Sequence, residues 1–277
     1  MTEFLELTHG TLAYEVEGDG PLLVLAHGMG DGRASYRFVT PQLVAAGYRV
    51  AVLDLRGCGD SSADWPGYSR TDIAGDLVAL VRHLGGPAVI VGQSISGGAA
   101  TIAAAQAPEL VQGIVELAPF TRQQSVRLGD LRVRRYRQGM TRLALAVGVN
   151  SVSWWQRYLD LAFPGSKPAD WAEQLAANRA ELSRPGRMKV VRRMGQSSPT
   201  DAGEHLARVR CPALIVMGSL DPDWADPRAE GEAVVAAMTS ALAELAIIEG
   251  AGHYPHTQFP TETVALVLPF LKAHARA

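Results

Sequence analysis

Ser94 is the residue whose neighbours best suit it to covalent chemistry. It follows Val89-Ile90-Val91-Gly92-Gln93, a run with the character of a buried strand, and precedes Ile95-Ser96-Gly97-Gly98, where a small-residue helix begins. A serine hydroxyl attacks a carbonyl only when it projects clear of its own backbone toward a base, and a tight strand-to-helix turn presents it that way at the cost of a strained residue. Strain of this kind needs small neighbours, and Gly92 and Ser96 flank Ser94 two residues away on either side. Glycine at both places is the usual form of the turn, so Ser96 is a mild departure. The turn also leaves the first N–H groups of the helix unpaired, which puts the Ile95 amide where an oxyanion would form. A competing register makes Ser96 the nucleophile but places it inside the helix; the apolar strand ends immediately before Gly92, which favours Ser94.

Four other apolar runs end in residues of chemical interest. Leu22-Leu23-Val24-Leu25-Ala26 leads into His27-Gly28-Met29-Gly30, and Val50-Ala51-Val52-Leu53 into Asp54-Leu55-Arg56-Gly57-Cys58-Gly59-Asp60-Ser61. Ala213-Leu214-Ile215-Val216-Met217 leads into Gly218-Ser219-Leu220-Asp221, and Leu245-Ala246-Ile247-Ile248 into Glu249-Gly250-Ala251-Gly252-His253. Together these pieces resemble the α/β-hydrolase superfamily, from about Leu22 to the last helix. The order Ser94, Asp221, His253 is that family's nucleophile-acid-histidine order rather than the order of chymotrypsin or subtilisin.

The resemblance implies roles. His253 is the expected general base, Asp221 the acid that orients it, and the Met29 amide the second oxyanion donor beside Ile95. Asp223 and Asp226 are rivals of Asp221, but the Gly-x-x-Asp offset favours Asp221. A calcium loop is another reading of these acids; Pro222 and Trp224 interrupt the run and no closing glutamate sits at the expected place, so no metal is expected. His27 reads as a loop anchor, and Asp54 and Arg56 as charged strand-end residues with architectural work. His256 falls after Pro255, outside the Gly-His turn, which suits surface solvation. His9, His83, His205 and His274 have no motif about them and read as surface or helix residues.

The elements that position these residues follow from the pattern. Strands over 4–7 and 11–17 form an opening antiparallel hairpin, and apolar runs near Leu22, Val50, Ala88, Gly113, Ala213 and Ala243 alternate with helices over 36–46, 72–84, 96–107, 229–238 and 261–273. That is an α/β fold: a mostly parallel eight-stranded sheet with helices on both faces. Residues 1–120 and 200–277 make the core. From 121 to 199 no strand pattern appears; the segment reads as helices broken at Pro164, Pro168 and Pro185 and, by the resemblance, as a cap over the site.

Within it, Arg122, Arg127, Arg132, Arg134, Arg135, Arg137 and Arg142 read as a solvated basic face rather than an anion pocket. Trp154, Trp155 and Tyr158 are candidates to line the substrate pocket, as is Trp224 outside the segment; Trp171 also adds apolar area to the cap.

Composition agrees. The 277 residues, 47% hydrophobic, suit one α/β domain, and a formal net charge of −2 argues against a nucleic-acid partner. The acidic N-terminal residues Glu3 and Glu6 read as neither signal peptide nor membrane span, and two cysteines far apart suit a reducing cytosol. The expected activity is cofactor-free hydrolysis of a small-molecule carboxylic ester through an acyl-serine. Thioester, lactone, amide and C–C bond cleavage and perhydrolysis share the triad and stay open, as do a ligand receptor or a lyase on the same scaffold. Dehalogenases and epoxide hydrolases of the family place aspartate where Ser94 stands and are disfavoured.

Overall fold

The computed structural model describes residues 1–124, 127–239 and 242–276. Eight strands form one sheet: β1 (Glu3–Leu7), β2 (Gly10–Glu17), β3 (Leu22–Ala26), β4 (Arg49–Leu53), β5 (Ala88–Gln93), β6 (Val111–Leu117), β7 (Ala213–Gly218) and β8 (Ala243–Ile248). Their spatial order is β1-β2-β4-β3-β5-β6-β7-β8. β2 lies antiparallel to β1 and β4, and the remaining pairs are parallel.

The α-helices among the described residues are, in chain order, α1 (Thr40–Ala45), α2 (Arg70–His83), α3 (Ile95–Gln106), α4 (Arg134–Gly148), α5 (Val152–Ala162), α6 (Trp171–Ser183), α7 (Arg187–Gln196), α8 (Thr200–Gly203), α9 (Pro227–Ala237), α10 (Pro255–Gln258) and α11 (Pro260–His274). Alternate residues of each inner strand serve opposite faces. Leu23, Leu25, Val89 and Val91 pack with Leu43 of α1 and Leu271 of α11, while Val24, Ala26 and Ile90 pack with Leu77 of α2 and Ala103 of α3. Burial on both faces is why these strands read as continuous apolar runs.

Local rules set the boundaries. The single helix expected over 36–46 is divided into a 3₁₀ turn, Arg33–Tyr36, and α1, with Pro41 in α1's first turn. α2 starts before the expected residue 72, because Ser69 and Asp72 close a capping box: the Ser69 hydroxyl accepts from the Asp72 amide, and the Asp72 carboxylate accepts from the Ser69 amide. That early start makes Arg70 the first helical residue.

Asp54 and Arg56 are buried and paired. Asp54 accepts from Arg33 and from the Asp60 amide, and the Arg56 guanidinium donates two bonds of 2.7 Å to Asp76. Helices α4 to α7 lie in the stretch between β6 and β7 and share an apolar cluster. Its Trp155, Tyr158, Leu159 and Val191 pack on Tyr254 and Met29, which follow β8 and β3. Among the described residues no helix is long and apolar enough to cross a membrane.

Candidate active site

The carboxyl ends of β3, β5, β7 and β8 converge under α4, α5 and α7 around a cavity of about 240 Å³. Met29, Ser94, Ile95 and His253 all line it. β5 lies in the middle of the sheet between β3 and β6, so the residue leaving its end stands at the centre of the strand ends.

Ser94 links β5 to α3 with φ 56° and ψ −116°, a conformation that non-glycine residues seldom adopt and that the surrounding structure must hold in place. Its amide donates to the Leu117 carbonyl at 2.9 Å, and its carbonyl accepts from the Gly97 and Phe120 amides at 3.0 and 3.1 Å. The turn closes so tightly that a Cβ on Gly92 would stand 2.3 Å from the Ser96 carbonyl oxygen. The departure at Ser96 has a use: its buried hydroxyl donates to the His27 carbonyl at 2.6 Å and ties the start of α3 to the loop that carries Met29. That bond occupies Ser96 and leaves Ser94 as the serine facing the cavity.

The Ser94 hydroxyl makes no hydrogen bond among the described residues, and the Met29 and Ile95 amides likewise have no acceptor among them. His27 anchors its loop as expected: its Nε2 accepts from the Leu55 amide at 3.0 Å, leaving Nδ1 to donate to the Gly28 carbonyl at 2.7 Å.

His253 is held from three sides. Its amide donates to the Ala162 carbonyl at the end of α5, and its carbonyl accepts from the Gln93 side chain. Its Nδ1 donates to Asp221 Oδ2 at 2.9 Å. Asp221 is fully buried, and its other oxygen accepts from the Asp223 amide. Asp223 adds a second carboxylate: its Oδ2 lies 3.4 Å from His253 Nδ1 and accepts from the Tyr158 hydroxyl at 2.7 Å. Asp226 stands apart and caps α9 through the Ala229 amide, so the three acids do not gather into one oxygen cage.

Burial alone would lower the His253 pKa, but the charges of Asp221 and Asp223 and the bond to Asp221 outweigh it and bring it up to about 9. Burial, followed by the Asp221 charge, raises Asp223 to about 6 against the opposing pull of His253.

Several expectations need correction. Trp155 and Tyr158 line the cavity, but Trp154 does not. Residues three apart share a helix face whereas adjacent ones do not; Trp154 turns away and lies under the Arg157 guanidinium at 4.6 Å. Trp224 also misses the cavity wall; it stacks one layer behind, on Phe120, at 4.8 Å. His256 is buried rather than solvated, because Pro255 starts α10 and turns the chain inward. His256 bonds with the Ser35 hydroxyl at 2.7 Å and stacks on Tyr36, and burial lowers its pKa to about 3.

None of the seven arginines of the expected basic face lines the cavity. Arg127, Arg132, Arg134 and Arg137 are exposed, Arg122 pairs with Glu230 at 3.0 Å, and Arg135 reaches the Asp221 and Ala225 carbonyls. The arginine that does line the cavity is Arg70, which no sequence motif singled out. The Ser69–Asp72 capping box marks a helix start there, but nothing local tells which way its first side chain reaches.

Comparison with known proteins agrees with this fold. The profile of the alpha/beta hydrolase family matches residues 23–266. A probable esterase from Oryza sativa subsp. japonica is 26% identical over 274 residues, covering 93% of this chain and 92% of its own. A 2-(acetamidomethylene)succinate hydrolase from Mesorhizobium japonicum is 26% identical over 275 residues, covering 95% and 92%. Among solved structures, an esterase from Exiguobacterium antarcticum superposes with a TM-score of 0.81 at 19% identity, over 98% of this chain and 100% of its own. The chain belongs to the alpha/beta hydrolase family.

Proposed function

We propose that this protein is a serine hydrolase that cleaves a small-molecule carboxylic ester through an acyl-enzyme on Ser94, with residues 121–199 acting as a cap that shapes the substrate pocket. The observation that carries the reading is a strained serine at the β5–α3 turn, in one cavity with a histidine whose far nitrogen is bonded to a buried carboxylate. In the proposed reaction His253 Nε2 takes the Ser94 proton as Oγ attacks the carbonyl, while the Met29 and Ile95 amides hold the oxyanion. The tetrahedral intermediate collapses, and the alcohol leaves with the proton from His253. Water then gives a proton to His253 and attacks the acyl group; the acid departs and the proton returns to Ser94 Oγ.

Turnover of a short p-nitrophenyl ester, with and without a fluorophosphonate, tests the reading. Rapid turnover abolished by the reagent is expected. Labelling with almost no turnover on any ester would instead favour a receptor on this scaffold, and an unlabelled protein would contradict the reading altogether.

The pH profile follows from His253, which must be neutral to accept the Ser94 proton. With its pKa brought up to about 9, kcat/KM rises through the alkaline range and levels off above about pH 9. A profile already flat from pH 7 upward would contradict the raised pKa of His253.

A further inference from the structure

Arg70 is a buried cation without a counter-ion in contact. It is 5% exposed and lines the same cavity as Ser94, and among the described residues it is the one arginine or lysine that does so. No carboxylate among the described residues lies within salt-bridge distance of it: its Nε donates to the Phe120 carbonyl at 2.8 Å, and its Nη1 donates to the Ser197 carbonyl and hydroxyl at 3.2 and 3.1 Å. Those three neutral acceptors use three of the five guanidinium N–H groups and leave Nη2 without a protein acceptor among the described residues. Hydrogen bonds to neutral acceptors orient a charge but do not neutralise it, and buried charges are ordinarily paired.

Asp201 acts on it electrostatically from beyond salt-bridge distance and is itself bonded to Thr71 and to the Ala202 amide. Burial lowers the Arg70 pKa to about 10 against that attraction, so the group stays cationic at neutral pH.

The fold makes room for this placement. A Cβ on Gly98 would stand 2.8 and 3.1 Å from Arg70 Cδ and Nε, and 2.6 Å from the Phe120 carbonyl oxygen that Arg70 bonds. Gly98 lies in the first turns of α3, the helix that begins directly after Ser94. The rest of the wall is largely apolar, with Met29, Ile95, Phe120 and Met194 among the lining residues. Asp223, the acid of the wall, is already engaged with His253 and Tyr158.

We infer that Arg70 is the specificity-determining residue of the cavity, and that the substrate is an ester carrying a carboxylate on the part that lies against Arg70 in the cavity it shares with Ser94, received by the free Nη2. The inference rests on the esterase reading above and goes beyond it by giving the substrate a charge. An arginine in place suits it, since a guanidinium stays charged when buried and its planar fork fixes the direction of a carboxylate.

Two matched ester pairs test it, one with the charge on the acyl side and one with it on the leaving group: p-nitrophenyl hemiadipate against p-nitrophenyl hexanoate, and 3-acetoxybenzoate against phenyl acetate. In the parent protein the anionic member of at least one pair is preferred tenfold or more in kcat/KM, and Arg70→Met collapses that ratio to about one or below. Arg70→Lys, which keeps the charge but not the fork, retains part of it. If Arg70→Met fails to fold, the parent ratios and the lysine variant still decide.

Neutral esters preferred in both pairs by the parent protein, or ratios unchanged in a folded Arg70→Met protein, would overturn the inference and leave the esterase reading standing. No turnover of any of the four esters, with no fluorophosphonate labelling, would overturn the reading on which it rests.

Discussion

Ser94→Ala is expected to lower kcat on a p-nitrophenyl ester by about six orders of magnitude, with the fold unchanged by circular dichroism. The size follows from residues that act as a unit: once the nucleophile is gone, the base and its orienting acid have nothing to activate, and only binding and the oxyanion donors remain. The fold should tolerate the change, because the strained turn is held by backbone bonds that alanine keeps: one to the Leu117 carbonyl and two from the Gly97 and Phe120 amides. A variant within tenfold of the parent would show that another group attacks. Ser96 is the nearest rival, but its hydroxyl is fully buried and committed to the His27 carbonyl.

The two carboxylates against His253 should separate by effect. Asp221→Asn removes the charge that receives the Nδ1 proton, so the imidazole loses its directed tautomer and the partner of its cationic form; kcat is expected to fall by about four orders of magnitude. Asp223→Asn should cost less than tenfold at the optimum, since asparagine can still accept from Tyr158 and Asp221 still holds the ring.

Its signature is in the pH profile. Removing one of the two charges that raise His253 lowers the pKa of the base, so the acid limb of kcat/KM moves below that of the parent, and activity at pH 7 rises relative to activity at pH 9. Equal losses in the two variants with no movement of the limb would contradict the division of labour between them.

Much of the arrangement was legible because the signals are local. β3, β5, β7 and β8 announce themselves as apolar runs, and a glycine-rich or Gly-His turn directly after each shows where the chain presents side chains at the sheet's edge. Tertiary packing decides the remainder. Asp223 reads in sequence as a rival of Asp221, and its pairing with Tyr158 of α5, 65 residues away in the chain, is set by packing. Arg70 has no motif, because its place in the cavity depends on Gly98 leaving space and on the end of α7 offering Ser197. Trp154 and Trp155 are equal as residue types; only the rotation of α5 about its axis separates the one that faces the cavity. His256 read as a surface residue because the partners that bury it, Tyr36 and Ser35, are far away in sequence.

Peptide mapping of the covalent adduct tests the central claim most directly. After reaction with a fluorophosphonate, or after an acid quench during turnover of a p-nitrophenyl ester, the added mass should fall on the peptide containing Ser94 and at Ser94 within it, with one adduct per chain, and should be absent from Ser94→Ala. An adduct on Ser96 or elsewhere, or rapid ester turnover with no adduct on Ser94 under either condition, would contradict the account.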